Sequence, residues 1–190
     1  MCGDRWLIVG LGNPGPAYAG NRHNAGFMVV SVLADRMGVR LKRDRSRAFA
    51  AQGRLGGHPV TLAEPMTFMN LSGRPVSALR TFYKVPIDQI LVMHDELDLP
   101  FGSIRLKLGG GDNGHNGLRS VGSALGTKDY YRLRVGIGRP PGRMDPADFV
   151  LHNFAATERA ELGEVLERSA DAAEMLIVGG LAAAQNAFNT

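Results

Sequence analysis

Residues 91–118 constrain the fold of this chain more than any other stretch, because they combine strand, turn and helix patterns in one continuous segment. They read LVMHDELDLPFGSIRLKLGGGDNGHNGL. The apolar residues up to Met93 stop abruptly at charged residues, which is typical of a buried strand that ends at the rim of a sheet. Apolar and polar side chains then alternate over residues 104–108, a period of two that predicts a second strand. Three glycines follow and a helix is predicted to open near His115, so the segment predicts a strand, turn, strand, loop and helix in succession.

The rest of the chain alternates between strand and helix patterns. Gly56-Gly57 predicts a hairpin turn between two of the strands. Apolar or alternating runs predict further strands at residues 6–9, 48–54, 59–64 and 132–137. Helical periodicity predicts helices from residue 23 onward and over residues 73–83 and 157–181. Strands that alternate with helices, together with one hairpin, predict an α/β fold, with three layers around a mixed, mostly parallel twisted sheet.

Length and composition predict an ordinary globular protein with one domain over residues 1–190. With 190 residues, of which 44% are apolar and 21% charged, the chain can bury a substantial core without the support of disulfides or structural metals. Its one cysteine, Cys2, cannot form an internal disulfide, and no apolar run suits a membrane span or a signal peptide. We therefore expect a cytoplasmic protein without a membrane partner. The net charge of +4 permits a nucleic-acid partner and does not by itself establish one.

Residues 10–15, GLGNPG, match the glycine pattern of dinucleotide-binding folds directly after a predicted strand. In those folds the glycines open at once into a helix whose N-terminus faces a pyrophosphate. Here Pro14 and Pro16 intervene, and helical periodicity begins only near His23. The acidic residue expected at the end of the next strand is also missing, since Asp35 falls on the helix itself. The pattern therefore argues against a nucleotide-binding oxidoreductase, which stays as a third class of function.

Polar residues that suit hydrolysis are expected at one edge of the predicted sheet. They are one imidazole, one carboxylate and three carboxamides: Asn13, His23, Asn70, Asp95 and Asn116. Loops at strand ends meet at one edge of such a sheet, where ligands bind. A histidine oriented by an aspartate can act as a general base on water, while amide groups hold a substrate and stabilise an oxyanion. No G-x-S-x-G turn is present and Cys2 lies at the terminus, so activated water is predicted rather than a covalent nucleophile.

Each candidate also has a purely structural interpretation. His23 can simply begin a helix, Asp95 can be a helix cap or a surface charge, and Asn116 can cap its own helix. His94 is expected to point away from Asp95, into packing. A metal site formed by His23, His94, Asp95 and His115 is conceivable, but no H-E-x-x-H motif, cysteine pair or acidic cluster supports it, and we expect no metal.

Basic residues raise the question of a phosphate partner in two places. Segment 41–54 carries five cations against Asp44 alone, a pattern typical of a solvated face beside an edge strand. Lys107 precedes the glycine run, so this stretch does not match the phosphate loop G-x-x-x-x-G-K-[ST]. Lys107 can still meet a phosphate as a point charge, jointly with backbone amides.

Four sequence blocks lie in a characteristic order: VGLGNPGPAYAGNRHNAGF, PMTFMNLSG, HDELDLPFGSIRLKLGGGDNGHNGL and RLRVGIGRPPG. Together they closely resemble the bacterial peptidyl-tRNA hydrolase family, and the similarity runs from residue 7 to residue 154. The resemblance implies an enzyme that hydrolyses the ester between a stalled peptide and the terminal ribose of tRNA, which recycles the tRNA. It also implies a monomer that needs neither a metal nor another cofactor.

The resemblance further implies a role for each matching position. His23, in R-H-N, corresponds to the general base, and Asp95, the first aspartate of H-D-E-L-D, to the residue that orients it. Asn13, in G-N-P-G, corresponds to the residue that helps to distinguish N-blocked peptidyl-tRNA from free aminoacyl-tRNA. Lys107 and Arg134 match a basic pair that clamps the 5′-phosphate of the tRNA. Contact with the tRNA end or the peptide is implied for four further residues: Tyr18, Phe68, Asn70 and Asn116.

One position departs from the family pattern. Asn113 stands in the glycine loop where Gly is expected. Asn tolerates left-handed backbone better than most residues, so the loop itself is expected to survive. The substitution by Asn113 therefore concerns the glycine loop as a lid over the peptide and not the catalytic residues. The sequence pattern assigns no role to the loop at residues 139–143.

The main alternative function is an RNA-binding module of the same fold that lacks catalysis. The joint presence of His23, Asp95 and the two amides of Asn70 and Asn116 argues against it. Hydrolysis of a peptidyl-tRNA by the pure protein distinguishes the two functions.

Overall fold

The structure is a computed structural model in which residues 4–189 are described, so Cys2 lies outside the described residues. Its seven strands are β1 Trp6–Gly10, β2 Lys42–Arg43, β3 Ala48–Leu55, β4 His58–Pro65, β5 Ile90–Glu96, β6 Ile104–Leu108 and β7 Tyr131–Gly136. The α-helices are α1 Ala25–Met37, α2 Gly73–Tyr83, α3 Asn116–Leu125, α4 Pro146–Phe149, α5 Ala156–Gly179 and α6 Leu181–Phe188. Short 3₁₀ turns cover Arg22–Asn24, Met69–Leu71 and Ile87–Gln89.

All seven strands form one mixed sheet in the order β2-β3-β4-β1-β5-β7-β6. The four central strands β4, β1, β5 and β7 run parallel, and the strands outside them pair antiparallel at both edges. Parallel strands must be buried on both faces, which explains why β1 and β5 are buried along their whole length. The predicted α/β fold around a mixed sheet is therefore confirmed.

Helices form an outer layer on each face of this sheet, and an apolar cluster lies between the sheet and each layer. On one face, Leu91 and Met93 of β5 pack with α1 and α5, represented by Leu33 and Leu176. On the other face, Val92 belongs to a cluster that includes α2 and α3. Successive residues of β5 thus face opposite layers, as the period of two requires. None of the helices in residues 4–189 is both long and apolar enough to cross a membrane.

The helix predicted over residues 157–181 corresponds to α5, and a further helix, α6, follows it that was not predicted. α5 ends at Gly179, and Gly180 has a φ of +86°, a conformation that residues with a side chain rarely adopt. The predicted bounds of 157–181 thus agree with α5 to within two residues at each end, and Gly180 separates α5 from α6. The loop after β7 also contains the short helix α4, which Asp145 caps by accepting a hydrogen bond from the Ala147 amide (2.9 Å).

Two glycines bring the start of α1 directly onto the sheet. A Cβ atom at Gly10, the last residue of β1, would collide with the carbonyl oxygen of Gly26. A Cβ atom at Gly26 would in turn collide with the carbonyl oxygen of Met93 in β5. This backbone-to-backbone contact places the turn before α1 against the end of β5. Gly10 therefore serves close packing of a helix that begins well after it, and not the binding of a pyrophosphate.

Candidate active site

A cavity of about 390 Å³ opens at the carboxyl end of the sheet, where the sequence places its candidate residues. Its walls come from the loop after β1, the loop after β4, the end of β5, the start of α3 and the α4 segment. Six of the predicted site residues line this one cavity: Asn13, His23, Phe68, Asn70, Asp95 and Asn116. Because they come from three separate connecting segments and one strand end, the packing of α1 and α3 on the sheet is needed to bring them together.

His23 and Asp95 form a hydrogen-bonded pair in the floor of the cavity. The Nδ1 atom of His23 lies 3.1 Å and 3.0 Å from the two carboxylate oxygens of Asp95. A carboxylate accepts hydrogen bonds, so Nδ1 carries the proton and Nε2 keeps its lone pair. Burial alone lowers the pKa of His23, but the charge of Asp95 and the hydrogen bond to it outweigh this and leave the pKa above its ordinary value.

Arg22 fixes the backbone that carries His23. Its guanidinium donates to Glu158 Oε1 of α5 at 2.9 Å and lies over the ring of Phe149 in α4, 4.0 Å from the ring centre. The amide of His23 also donates to the carbonyl of Val150 at 2.8 Å. The first residue of the R-H-N motif therefore anchors the turn from which His23 reaches Asp95. The sequence shows that Arg22 directly precedes the candidate base, but its burial and its anchoring contacts are visible only in the structure.

His115 is the second partner of Asp95, and sequence reasoning missed this role. Its Nε2 atom lies 2.8 Å from Asp95 Oδ1. Its Nδ1 atom accepts the amide hydrogens of Gly117 (3.1 Å) and Leu118 (3.3 Å), so His115 caps α3. Since Nδ1 must be an acceptor, the proton lies on Nε2 and is donated to Asp95. The same side chain thus ends the glycine loop and holds the carboxylate.

Asp95 stays ionised in this setting. Its side chain is 2% exposed, and burial alone would raise its pKa. The charge interactions and hydrogen bonds from His23 and His115 outweigh burial and hold the pKa of Asp95 well below its usual range. A carboxylate with two imidazole partners is therefore a fixed negative charge that keeps His23 in its proton-accepting tautomer.

His94 lies on the opposite face of β5, as predicted. It is 1% exposed, and its Nδ1–H donates to the Asp95 carbonyl at 2.8 Å. Burial, reinforced by His115, lowers the pKa of His94 to about 3, so its ring is neutral. The His94 ring packs edge-on against that of His115, with 5.1 Å between the ring centres. His94 therefore packs against His115 and does not line the cavity.

Three of the four residues considered for a metal site do come together. One ligand atom each from His23, Asp95 and His115 lies within 4.8 Å of the others. In the described arrangement both imidazoles donate to Asp95, and the second nitrogen of His115 is engaged by α3. A metal ion would have to replace these protons. The contacts of Asp95 and His115 are those of a hydrogen-bonded proton-transfer site, in which Nε2 of His23 keeps its lone pair.

Asn13 is held so that its amide group faces the cavity. Its backbone amide donates to Asn24 Oδ1 and its carbonyl accepts from Asn24 Nδ2, both at 2.9 Å. Its side-chain Oδ1 accepts from the Met69 amide at 2.7 Å. Because the oxygen is occupied, the Nδ2 hydrogens are the groups that Asn13 can offer to a ligand. Asn24, which locks this loop, was not predicted from the sequence.

Asn70 and Asn116 offer amides from two further walls. Asn70 is exposed in the turn Met69–Leu71, and Asn116 is the exposed first residue of α3. The two walls approach closely at Gly117, where a Cβ atom would lie 2.5 Å from the sulfur of Met69. The cavity thus has a base on its floor and carboxamides on its sides.

The aromatic candidates lie at the mouth of the cavity. Phe68 lines it and is 57% exposed, which is unusual for a large apolar side chain. Tyr18 packs edge-on against the Phe68 ring, with 6.4 Å between the ring centres, and does not itself line the cavity. The pair forms an exposed apolar rim beside Asn70.

Lys107 and Arg134 lie outside the cavity, on one face of the β6–β7 pair. In the antiparallel register Lys107 faces Arg132 and Arg105 faces Arg134, so four basic side chains share this face. Arg132 is buried and donates to the carbonyls of Gly111 (2.6 Å) and Gly110 (2.7 Å), which fixes the glycine loop. The structure therefore places the predicted basic pair next to that loop and adds Arg132 as its internal support.

Asn113 forms a bridge between two loops. It has a left-handed φ of +50°, and its Nδ2 donates to Glu96 Oε2 (3.2 Å) and to the Asp98 carboxylate. Arg139, in the loop after β7, pairs with Asp98 at 2.6 Å. These hydrogen bonds, that from Asn113 first, lower the pKa of Asp98. Asn113 thus does more than replace a glycine, since it ties the glycine loop to the segment at residues 139–143.

The fold and this site define a class. A mixed α/β sheet that carries a solvent-open imidazole, oriented by a buried carboxylate and surrounded by amides, belongs to a hydrolase that activates water. The chain belongs to the peptidyl-tRNA hydrolase family: the family model for peptidyl-tRNA hydrolase matches residues 7–190. Family and fold agree in supporting a catalytic protein over the non-catalytic RNA-binding module.

Individual relatives agree with the family assignment. The peptidyl-tRNA hydrolase of Frankia alni is 68% identical over 184 residues, which cover 97% of this chain and 93% of that protein. The peptidyl-tRNA hydrolase of Streptomyces coelicolor is 57% identical, with 99% and 96% covered. A crystal structure of peptidyl-tRNA hydrolase from Acinetobacter baumannii superposes with a TM-score of 0.90 at 40% identity, covering 97% of this chain and 95% of that one.

Proposed function

We propose that this chain hydrolyses the ester of N-blocked peptidyl-tRNA with a water molecule activated by His23, releasing peptide and free tRNA. The observation that carries the mechanism is the His23–Asp95 hydrogen bond, which keeps Nε2 unprotonated and aimed into the cavity. Water bound to Nε2 loses its proton to the imidazole as it attacks the ester carbonyl. Asp95 stabilises the imidazolium that forms, and the proton then passes to the leaving ribose oxygen.

We assign the carbonyl and the tRNA end to the cavity walls. The amides of Asn70 and Asn116 are placed to hold the attacking water and the carbonyl oxygen as negative charge develops on it. The exposed ring of Phe68, with Tyr18 behind it, offers a stacking surface for the unpaired end of the tRNA. An ester is already an activated substrate, so a general base worth about 10²–10⁴ in rate, with these amides, is sufficient.

Selection of the blocked substrate falls to Asn13. Its free Nδ2 hydrogens suit the carbonyl of the first peptide bond, because its oxygen is occupied by the Met69 amide. An unblocked aminoacyl-tRNA has no such carbonyl and instead presents an ammonium group. It would leave the donor unpaired and bury a charge, and both cost free energy.

Lys107 and Arg134 are assigned to the 5′-phosphate of the tRNA. Their shared face on β6 and β7 lies beside the glycine loop, outside the cavity that holds the ester. A phosphate on this face anchors the acceptor end while the ester reaches His23. We further infer that residues 1–190 act as one domain, as a cytoplasmic monomer without a metal or a protein partner.

One experiment tests the hydrolysis, the selection of N-blocked substrates and the metal-free mechanism together. N-acetyl-aminoacyl-tRNA and the unblocked aminoacyl-tRNA are incubated with the pure protein, each with and without EDTA, and release of the amino acid is measured. Rapid cleavage of only the blocked form, unchanged by EDTA, is expected. Tight tRNA binding without cleavage would instead support the RNA-binding module, and loss of activity in EDTA would support a metal at His23, Asp95 and His115.

A further inference from the structure

A second cavity adjoins the catalytic one and has no role in the mechanism above. Its volume is about 280 Å³, and it lies between the loop after β1, the first turns of α1 and the paired ends of β3 and β4. Asn13 borders both cavities. A peptide held at the Asn13 amide therefore lies beside this second cavity as well as the catalytic one.

The walls of the second cavity are largely apolar and contain one carboxylate. Phe27, Met28, Phe49 and Met66 contribute apolar surface, and Glu64, at the end of β4, contributes the acid. Phe49 and Glu64 are paired across the β3–β4 ladder, so their side chains share this face of the sheet. Among residues 4–189, neither a hydrogen-bond donor nor a cation is paired with the Glu64 carboxylate.

A half-buried carboxylate without a partner is an unfavourable arrangement in the free protein. Burial raises the pKa of Glu64 to about 7, and no opposing charge brings it back. Asp95, at the same edge of the sheet, is buried more deeply but has two imidazole partners. The partner that Glu64 lacks is supplied only when a cationic group enters the cavity.

The position of Asn13 identifies which part of the substrate enters. The carbonyl assigned to Asn13 belongs to the penultimate residue of the peptide, the one before the residue esterified to tRNA. The side chain of that residue branches from the carbon next to this carbonyl, so it lies close to Asn13, which borders both cavities. An apolar stem with a cationic tip fits its aromatic walls and its single acid.

We propose that this second cavity is the subsite for the penultimate side chain of the peptide, and that Glu64 makes it prefer lysine or arginine. The inference rests on the proposed function, since it requires a blocked peptide held by Asn13. The stem of the bound side chain lies along Phe27 and Phe49, and its charged tip pairs with Glu64. The enzyme still accepts other residues there, because an apolar side chain fills the same walls.

The test compares three substrates that differ only at the penultimate residue: N-acetyl-Xaa-alanyl-tRNA with lysine, norleucine or Nε-acetyl-lysine as Xaa. Norleucine keeps the stem and removes the charge, and acetylation removes the charge but keeps the length. The wild-type kcat/KM is expected to be at least about tenfold higher for lysine than for norleucine, the size of a charge-assisted hydrogen bond. Nε-acetyl-lysine is expected to lose this advantage.

Glu64→Gln keeps the shape of the side chain and is expected to bring the lysine-to-norleucine ratio close to one. Glu161→Gln, which changes an exposed glutamate on α5, is the matched control and is expected to keep the wild-type ratio. A wild-type ratio near one, or an unchanged ratio in Glu64→Gln, overturns the subsite while cleavage of the norleucine substrate leaves the proposed function standing. If the wild type cleaves none of the three substrates, the proposed function fails first.

Discussion

Two carboxylates at the same edge of the sheet differ sharply in their surroundings. Asp95, at the end of β5, is almost completely buried and accepts hydrogen bonds from two histidines. Glu64, at the end of β4, is less buried, yet it has no partner among the described residues. Burial opposes ionisation in both cases, but the partners reverse its effect at Asp95 and nothing reverses it at Glu64. The pKa of Asp95 is therefore depressed, while that of Glu64 is raised to about 7.

The hydrogen-bonding and charged partners of a carboxyl group therefore decide its ionisation more than the extent of its burial does. At Asp95 the charge is permanent and can orient a base through many catalytic cycles. At Glu64 the charge is costly until a cation arrives, which suits recognition. Four predictions test this comparison, given in order of decreasing expected effect.

The largest effect is expected from removing the base that Asp95 serves. His23→Ala leaves the fold intact but deletes the proton acceptor, so kcat should fall by at least about 10²-fold. Turnover of N-acetyl-aminoacyl-tRNA, measured beside thermal unfolding, checks this. His58→Ala, a half-buried histidine in β4 far from the cavity, is the control and should keep wild-type turnover. Unchanged turnover in His23→Ala would show that the base has been misassigned.

Removing the other partner of Asp95 should have a smaller effect. His115→Ala deletes both the hydrogen bond to Asp95 and the cap of α3, so kcat should fall about tenfold and stability by about 1 kcal/mol. His115→Asn can restore the cap, because Asn is a good N-cap residue, but it is too short to reach Asp95. If His115 positions Asp95, the Asn variant recovers stability while kcat stays low and KM changes little. Recovery of both would assign His115 to capping alone.

Glu64→Gln should change stability in a pH-dependent way. The pKa of Glu64 rises from 4.5 to about 7 on folding, so the folded protein holds this proton more tightly than the unfolded chain. The contribution of Glu64 to stability is therefore lost as pH rises from 4.5 through 7. The variant should be more stable than wild type by about 1–2 kcal/mol at pH 8 and equal to it at pH 4. Urea unfolding at both pH values measures this, and an equal difference at each would refute it.

The smallest effect is expected where the charges are partly exposed. Lys107→Ala and Arg134→Ala should raise KM while leaving kcat almost unchanged, because they remove a phosphate contact and not a reacting group. Each variant makes one phosphate contact fewer and so releases fewer counterions when tRNA binds. The slope of log KM against log salt concentration should therefore flatten by about one. Lys84→Ala, at the far end of α2, is the control. A wild-type salt slope in both clamp variants would argue against the clamp.

Most of the fold could be predicted from the sequence because its signals are local. The apolar run before Asp95, the alternation over residues 104–108 and the glycine turn at Gly56-Gly57 each report the conformation of neighbouring residues. Where the signal was weak an element was missed, as with α6, which begins two residues after α5 ends at Gly179. The short helix α4 was missed because proline and glycine dominate the segment before it.

The sequence predicted the main strands and helices in their order, without β2, α4 and α6, and identified His23, Asp95, Asn13, Asn70 and Asn116 as residues of one site. Only the tertiary structure decided how they meet, because the contacts join residues far apart in the chain. His23 and Asp95 are separated by 72 positions, and Asn13 and Met69 by 56. The second partner of Asp95 and the missing partner of Glu64 are likewise set by which helices and strands pack together. A pKa depends on burial and on nearby charges, and neither is present in the chain until it has folded.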